Sequence, residues 1–265
     1  MNNKVWVNHE ELLAEYDKFD NKLFGSQGFC ILKDNFIKKV YYEPCTLKYD
    51  FSIYKSDRIS FPIHYLYDIK NKESDEVVGE LMEYFPKKSI TWSLTKSVEI
   101  DNFIRQYYEI IMEVRKYFEI NMHDLCIPNI LYNEQSGFSI IDTTNWSIDS
   151  GDNSKINKER INRSLFNHVI DEILEITPMN ITDLEIYQNL KKYGNIGLEL
   201  YKVLFLSIME DEHHLIEMLE LYCEVFKNSD FGPIKTLGDI ENYTKILKKG
   251  WFYWERVIKF IRYIN

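Results

Sequence analysis

The sequence predicts an α+β fold with a β-rich first part and a helical remainder. Three observations predict it. Before residue 85 the apolar residues fall in short runs separated by turn-forming residues, the signature of strands. From residue 100 onward they recur at helical spacing. Only 10 Gly and 6 Pro are spread over 265 residues, which argues for regular structure rather than long linkers. That length suits one large domain or two modest lobes. A hydrophobic content of 45%, a third of it aromatic (15% of the chain), supplies a core built largely from flat side chains.

Asn8 followed by HEELLAEYDKF reads as a capped amphipathic helix with acids in its first turn. GFCIL and FIKKVYY read as strands joined by a turn at KDN. A short helix is expected somewhere in 46–57. RISFPIHYLYD and VVGELMEYF are two more strands, linked by the charged IKNKESDE. A helix over 100–119 buries the face carrying Ile104, Tyr107, Tyr108, Ile111, Val114 and Phe118. NILYN and GFSIID form a hairpin about EQSG, and the polar stretch 147–164 is expected as loop. Helices are expected around 165–175, 183–193, 197–209, 211–227, 239–248 and 251–262. The expected division is a small β-rich N-lobe, 1–85, and a larger α-helical C-lobe, 86–265.

The formal charge of -10 makes the chain a poor candidate for non-specific nucleic-acid binding, which needs clustered Lys and Arg, while leaving room for a local basic pocket for a nucleotide. Cys30, Cys45, Cys126 and Cys223 form no C-x-x-C pair, so neither a disulfide framework nor a zinc knuckle is suggested. No apolar run resembles a signal peptide or a membrane span. A cytoplasmic setting with no membrane or nucleic-acid partner is the expectation.

The segment MHDLCIPNIL, 122–131, carries the chemistry. Moving a phosphoryl group requires a carboxylate beside the acceptor hydroxyl, an amide and a second carboxylate for a metal ion, and a lysine for charge. Asp124 and Asn129 are five residues apart, and Asp142 follows Asn129 by thirteen. The hairpin between them would return Asp142 to the neighbourhood of Asn129.

In this order the chain resembles the protein-kinase-like superfamily, which includes bacterial protein-kinase-like and aminoglycoside-phosphotransferase-like members. HDLCIPN resembles the catalytic loop H-R-D-L-x-x-x-N, and IIDTT stands at the D-F-G position. GSQG resembles a shortened Gly-rich loop, FIKKVY the lysine-bearing third strand, and LMEYF the hinge. The resemblance spans roughly residues 20–175 and implies a bilobal protein-kinase-like fold that uses ATP and Mg²⁺. It implies Asp124 as catalytic base, Asn129 and Asp142 as metal ligands, and Lys39 (with Lys38 second) as the phosphate-binding lysine. It further implies Gly25 and Gly28 over the phosphates, Ile37 and gatekeeper Met82 against the nucleotide, and the backbone of Glu83 and Phe85 facing the adenine.

Several positions depart from that pattern. Met122 and His123 stand where the family has His and Arg, Cys126 replaces the usual Lys of Ser/Thr protein kinases, and Thr143 and Thr144 replace Phe and Gly. No A-P-E follows. The family's helix-borne glutamate has only Glu43, Asp50 and Asp57 as candidates between Lys39 and the next strand, with Asp50 preferred. A protein or a small-molecule hydroxyl is the expected acceptor. A nucleotide-binding pseudokinase and a transferase of AMP stay open as alternatives. His213 and His214 in EDEHH point about 100° apart on a helix and do not share a ligand face.

Overall fold

The computed structural model describes residues 4–15, 22–24, 27–174, 214–227 and 232–242. Gly25 and the expected helices at 183–193, 197–209 and 251–262 lie outside the described residues, as does most of 239–248. The chain is α+β, with a β-sheet-rich N-terminal region followed by helices. It divides into two compact units.

The first unit comprises Met1–Lys88, Tyr117–Asp124 and Ser139–Asn153. Strands β1 (Val5–Val7), β2 (Lys22–Phe24), β3 (Gly28–Lys33), β4 (Phe36–Thr46), β5 (Pro62–Asp68) and β6 (Glu76–Glu83) form one sheet in the order β1-β5-β6-β4-β3-β2. β1, parallel to β5, was not foreseen: three residues are too few to show a period. Helix α1 (His9–Glu15) is capped as expected. The Asn8 carbonyl accepts from Leu12 N at 3.0 Å and its side chain donates to Glu11 at 2.7 Å. Leu12 then packs on Phe29, Ile31, Val40, Leu66 and Val78, the apolar core of that sheet face.

β3 and β4 turn at Asp34 and Asn35, whose φ values of 51° and 65° mark a primed hairpin turn. Residues 47–61 contain, as helix, only the 3-10 turn Phe51–Ile53, shorter than the helix expected there. Asp50 caps it through Ser52 N at 2.9 Å. Phe51, Tyr54, Phe61, Tyr117 and Trp146 form a cluster of tilted and edge-to-face ring pairs, with Phe61 and Tyr117 rings 4.9 Å apart.

Two later pieces of chain are laid into this unit by backbone pairing. Ile59 bridges Ile140, with Ser60 N donating to the Ile140 carbonyl at 2.9 Å and Ile140 N to the Arg58 carbonyl at 2.8 Å. Strands β8 (Ile120–Asn121) and β11 (Ser147–Ile148) pair antiparallel.

The second unit comprises Ser89–Lys116, Leu125–Phe138 and Ser154–Asn265. After the two-residue strand β7 (Lys88–Ser89), helix α3 (Ile100–Arg115) buries Phe103, Tyr107, Ile110, Ile111 and Val114. The buried stripe is rotated from the expected one, leaving Tyr108 on the exposed side. Strand β9 (Ile130–Asn133) leads into the expected turn, where Asn133 Oδ1 accepts from Gln135 N and Ser136 N at 2.9 and 3.2 Å. β10 (Gly137–Ile140) follows.

Helix α4 runs Ser154–Leu174, so the expected loop over 147–164 ends at 153 and its remainder is helix. Its buried stripe is Asn157, Ile161, Leu165, Phe166 and Val169. Because that stripe opens on an asparagine, its helical period does not show as apolar residues. α2 (Trp92–Thr95) and α5 (Leu215–Phe226) complete the named helices of this unit. No helix among the described residues is long and apolar enough to cross a membrane, and all four cysteines are unbridged.

Candidate active site

The register of the sheet builds the site. Cys30 faces Lys39, Lys39 faces Glu80, and Glu80 faces Tyr65, a cross-strand row over β3, β4, β6 and β5. Alternation puts Val40 into the core against α1 and turns Lys39 to the opposite face. Gly79 makes the close strand approach possible: a Cβ there would sit 2.3 Å from the Lys39 carbonyl oxygen.

Lys39 is 9% exposed and meets two carboxylates. Its Nζ lies 2.8 Å from Asp142 Oδ1 and 3.7 Å from Glu80 Oε1, and donates to Thr144 Oγ1 at 2.6 Å. Burial works against its charge, but Glu80 and Asp142 outweigh burial and hold the ammonium above its ordinary pKa. Asp142 is delivered from 103 residues downstream by the Ile59–Ile140 bridge.

The turn after that bridge fixes the carboxylate. Asp142 has φ 65°, in the left-handed region that Asp tolerates better than most residues. Thr144 Oγ1 donates to Asp142 Oδ1 at 2.7 Å, and Thr144 N does so at 3.3 Å. Burial pushes Asp142 up, but the Lys39 ammonium and the Thr144 bonds more than offset it and hold the carboxyl below its ordinary value. All these bonds engage Oδ1, and the side chain is 39% exposed.

Glu80 is 1% exposed, and its Oε1 has no hydrogen-bond partner. Burial raises its pKa, against the pull of Lys39. The acid beside Lys39 is therefore strand-borne; Asp50, the preferred candidate, caps its own turn instead. The clue in sequence was a lone acid inside the apolar run VVGELM, but only strand register reveals its partner.

Asp124 lies in the same unit, just after β8. Its Oδ2 accepts a short hydrogen bond from Asn145 Nδ2. The paired strands β8 and β11 hold both chains, and His123 Nε2 meets Ser147 Oγ at 3.0 Å. Met122 is fully buried, so the position where the family carries His is a core residue here.

The remaining expected residues are placed as follows. Ile37 and Met82 are register partners, on the Lys39 side of the sheet, with Met82 buried. Glu83 is exposed at the end of β6, and the Phe85 carbonyl accepts from Lys87 N at 2.7 Å. Gly28 lies within β3, where a Cβ would sit 2.1 Å from the Val40 carbonyl oxygen. Its lack of a side chain is thereby explained by sheet packing. Asn129 ends the 3-10 turn Ile127–Asn129 in the second unit, its N–H donating to the Cys126 carbonyl at 2.9 Å. No cluster of three or more His, Cys, Asp or Glu suited to a metal ion occurs among the described residues.

No protein-family model matches the chain, and no curated protein matches it. Among solved structures it is similar to the pseudokinase DRIK1 (drought responsive inactive kinase 1), seen in a co-crystal bound to ENMD-2076. The likeness covers 85% of this chain and 97% of that one, at 7% identity and a TM-score of 0.43.

Proposed function

We propose that the chain is an ATP-dependent phosphotransferase of kinase-like fold, moving the γ-phosphoryl group to a protein or small-molecule hydroxyl with the help of Mg²⁺. The observation that carries the reading is the meeting of Lys39 with Asp142 at 2.8 Å, in the unit that also holds Asp124.

The carboxylate of Asp142, held below its ordinary pKa and partly exposed, suits a hard cation that prefers carboxylates and retains water. Bound there, Mg²⁺ would neutralise charge on the phosphates. Asp142 would be one residue to hold it. Asn129 is proposed as the second protein ligand from its place in the sequence, five residues after Asp124. Lys39 supplies positive charge to the phosphates from a site that largely excludes water. Asp124 orients the acceptor hydroxyl and takes its proton, and Asn145 holds that carboxylate in one rotamer. Met82 and Ile37 offer an apolar edge to the adenine, with the backbone of Glu83 and Phe85 beside it.

The test is transfer of label from γ-labelled ATP to a panel of protein and small-molecule hydroxyls. Wild type should transfer, and Asp142→Ala should lose several orders of magnitude, since positioning and charge supply most of this catalysis. Equal transfer by the two would remove Asp142 from the mechanism.

A nucleotide-binding pseudokinase is the second reading. It is favoured by the engagement of Lys39 with two groups of its own chain, Asp142 and Thr144. Thermal stabilisation by Mg-ATP with no transfer in the same panel would decide for it.

A further inference from the structure

Glu80 presents an unusual combination. It is 1% exposed, and one of its oxygens has no hydrogen-bond partner. A buried acceptor left unmatched costs about 1–3 kcal/mol, more when charged, so its persistence calls for a physical account. The Tyr41 hydroxyl also reaches this carboxyl, and Lys39 Nζ lies 3.7 Å from the unpartnered oxygen, just beyond hydrogen-bond reach because the ammonium is drawn to Asp142 and Thr144.

The two carboxylates differ in what they can do. Asp142 is 39% exposed and can turn to a cation, whereas Glu80 is sealed inside the sheet. If a divalent cation takes Asp142, the hold on Lys39 weakens, and the orphaned oxygen becomes its best partner. Lys39 would need to move by less than 1 Å to convert 3.7 Å into a hydrogen bond of about 2.8 Å.

We propose that Glu80 is the positioning residue for Lys39, receiving its ammonium when a metal–nucleotide complex claims Asp142. This rests on the phosphotransferase reading. The acid is set by cross-strand register and by the close approach at Gly79, not by a helix, since residues 47–61 hold only a 3-10 turn. The lysine–acid pair is therefore assembled whenever the sheet is folded. No helix movement is needed to bring the two together or to part them.

The experiment has two readouts on wild type, Glu80→Gln and Glu80→Asp. The first is competitive acylation of Lys39 by an amine reagent at fixed pH, read by mass spectrometry without nucleotide. Glu80→Gln should raise Lys39 acylation about tenfold, because removing a flanking negative charge stabilises the neutral amine. The second is the Kd for Mg-ADP, which should weaken about tenfold in Glu80→Gln and less in Glu80→Asp, which keeps the charge. Acylation and Kd both within twofold of wild type would overturn the role of Glu80 and leave the phosphotransferase reading standing. A wild type that binds neither Mg-ADP nor Mg-ATP would overturn that reading and the ligand-linked role with it. If Glu80→Gln does not fold, unchanged acylation and Kd in Glu80→Asp overturn the proposal in its place.

Discussion

At Asp124, one hydrogen bond separates two roles. Asn145 fixes the orientation of the carboxylate, and the carboxylate is proposed to receive a proton. Asp124→Asn keeps the shape and removes the base, so transfer should fall on the order of 10²–10⁴-fold while Mg-ATP affinity stays within a few-fold. Rate and Kd measured on one preparation check this, and a parallel loss of affinity would make Asp124 a binding residue instead. Asp124 and Asp142 stand out in the sequence because an acid, an amide and an acid fall at fixed spacings. Glu80 does not, because its meaning lies across the sheet: the acid facing Lys39 is 41 residues away by number and directly opposite by register. Thr144 was likewise read only as a missing glycine, whereas its hydroxyl bonds both Lys39 and Asp142.

Among the elements, the β3–β4 pair carries the clearest prediction. Gly28→Ala would drive a methyl into the Val40 carbonyl, 2.1 Å away, and should destabilise the fold by roughly 1–3 kcal/mol in denaturant unfolding. Unaltered stability with weakened Mg-ATP binding would instead make Gly28 a phosphate-loop residue. Helix α4 gives a prediction in pH. Burial pushes His168 down to about 4, and its Nε2 lies 3.2 Å from Thr95 Oγ1 of α2. The folded state therefore prefers the neutral imidazole, while the unfolded chain takes up a proton near the ordinary 6.5. Stability is present above pH 6.5 and is lost as pH falls toward 4, by roughly 3 kcal/mol over that window. His168→Gln should flatten this acid limb in unfolding curves recorded from pH 7 to pH 4, and an unchanged slope would contradict it. Strands were legible here because apolar runs and turn residues alternate. The start of α4 was not, since Asn157 fills a core position that composition assigns to loop.

For the molecule as a whole, the α+β division was legible from the change in apolar period near residue 85, but the path of the chain was not. Two later segments, 117–124 and 139–153, belong to the unit built by the first 88 residues. Short backbone pairings at Ile59–Ile140 and Ile120–Ile148 place them there, and pairings of one or two residues leave no periodic trace in sequence. Those same pairings bring Asp124 and Asp142 into the unit of Lys39, where a chain of net charge -10 sets a buried lysine between Glu80 and Asp142. Calorimetric titration of wild type and Asp142→Ala with a non-hydrolysable ATP analogue, with and without Mg²⁺, tests this most directly. The predicted result is single-site binding by wild type that requires Mg²⁺ and is lost in Asp142→Ala. Binding by neither chain, or equally by both, would contradict it.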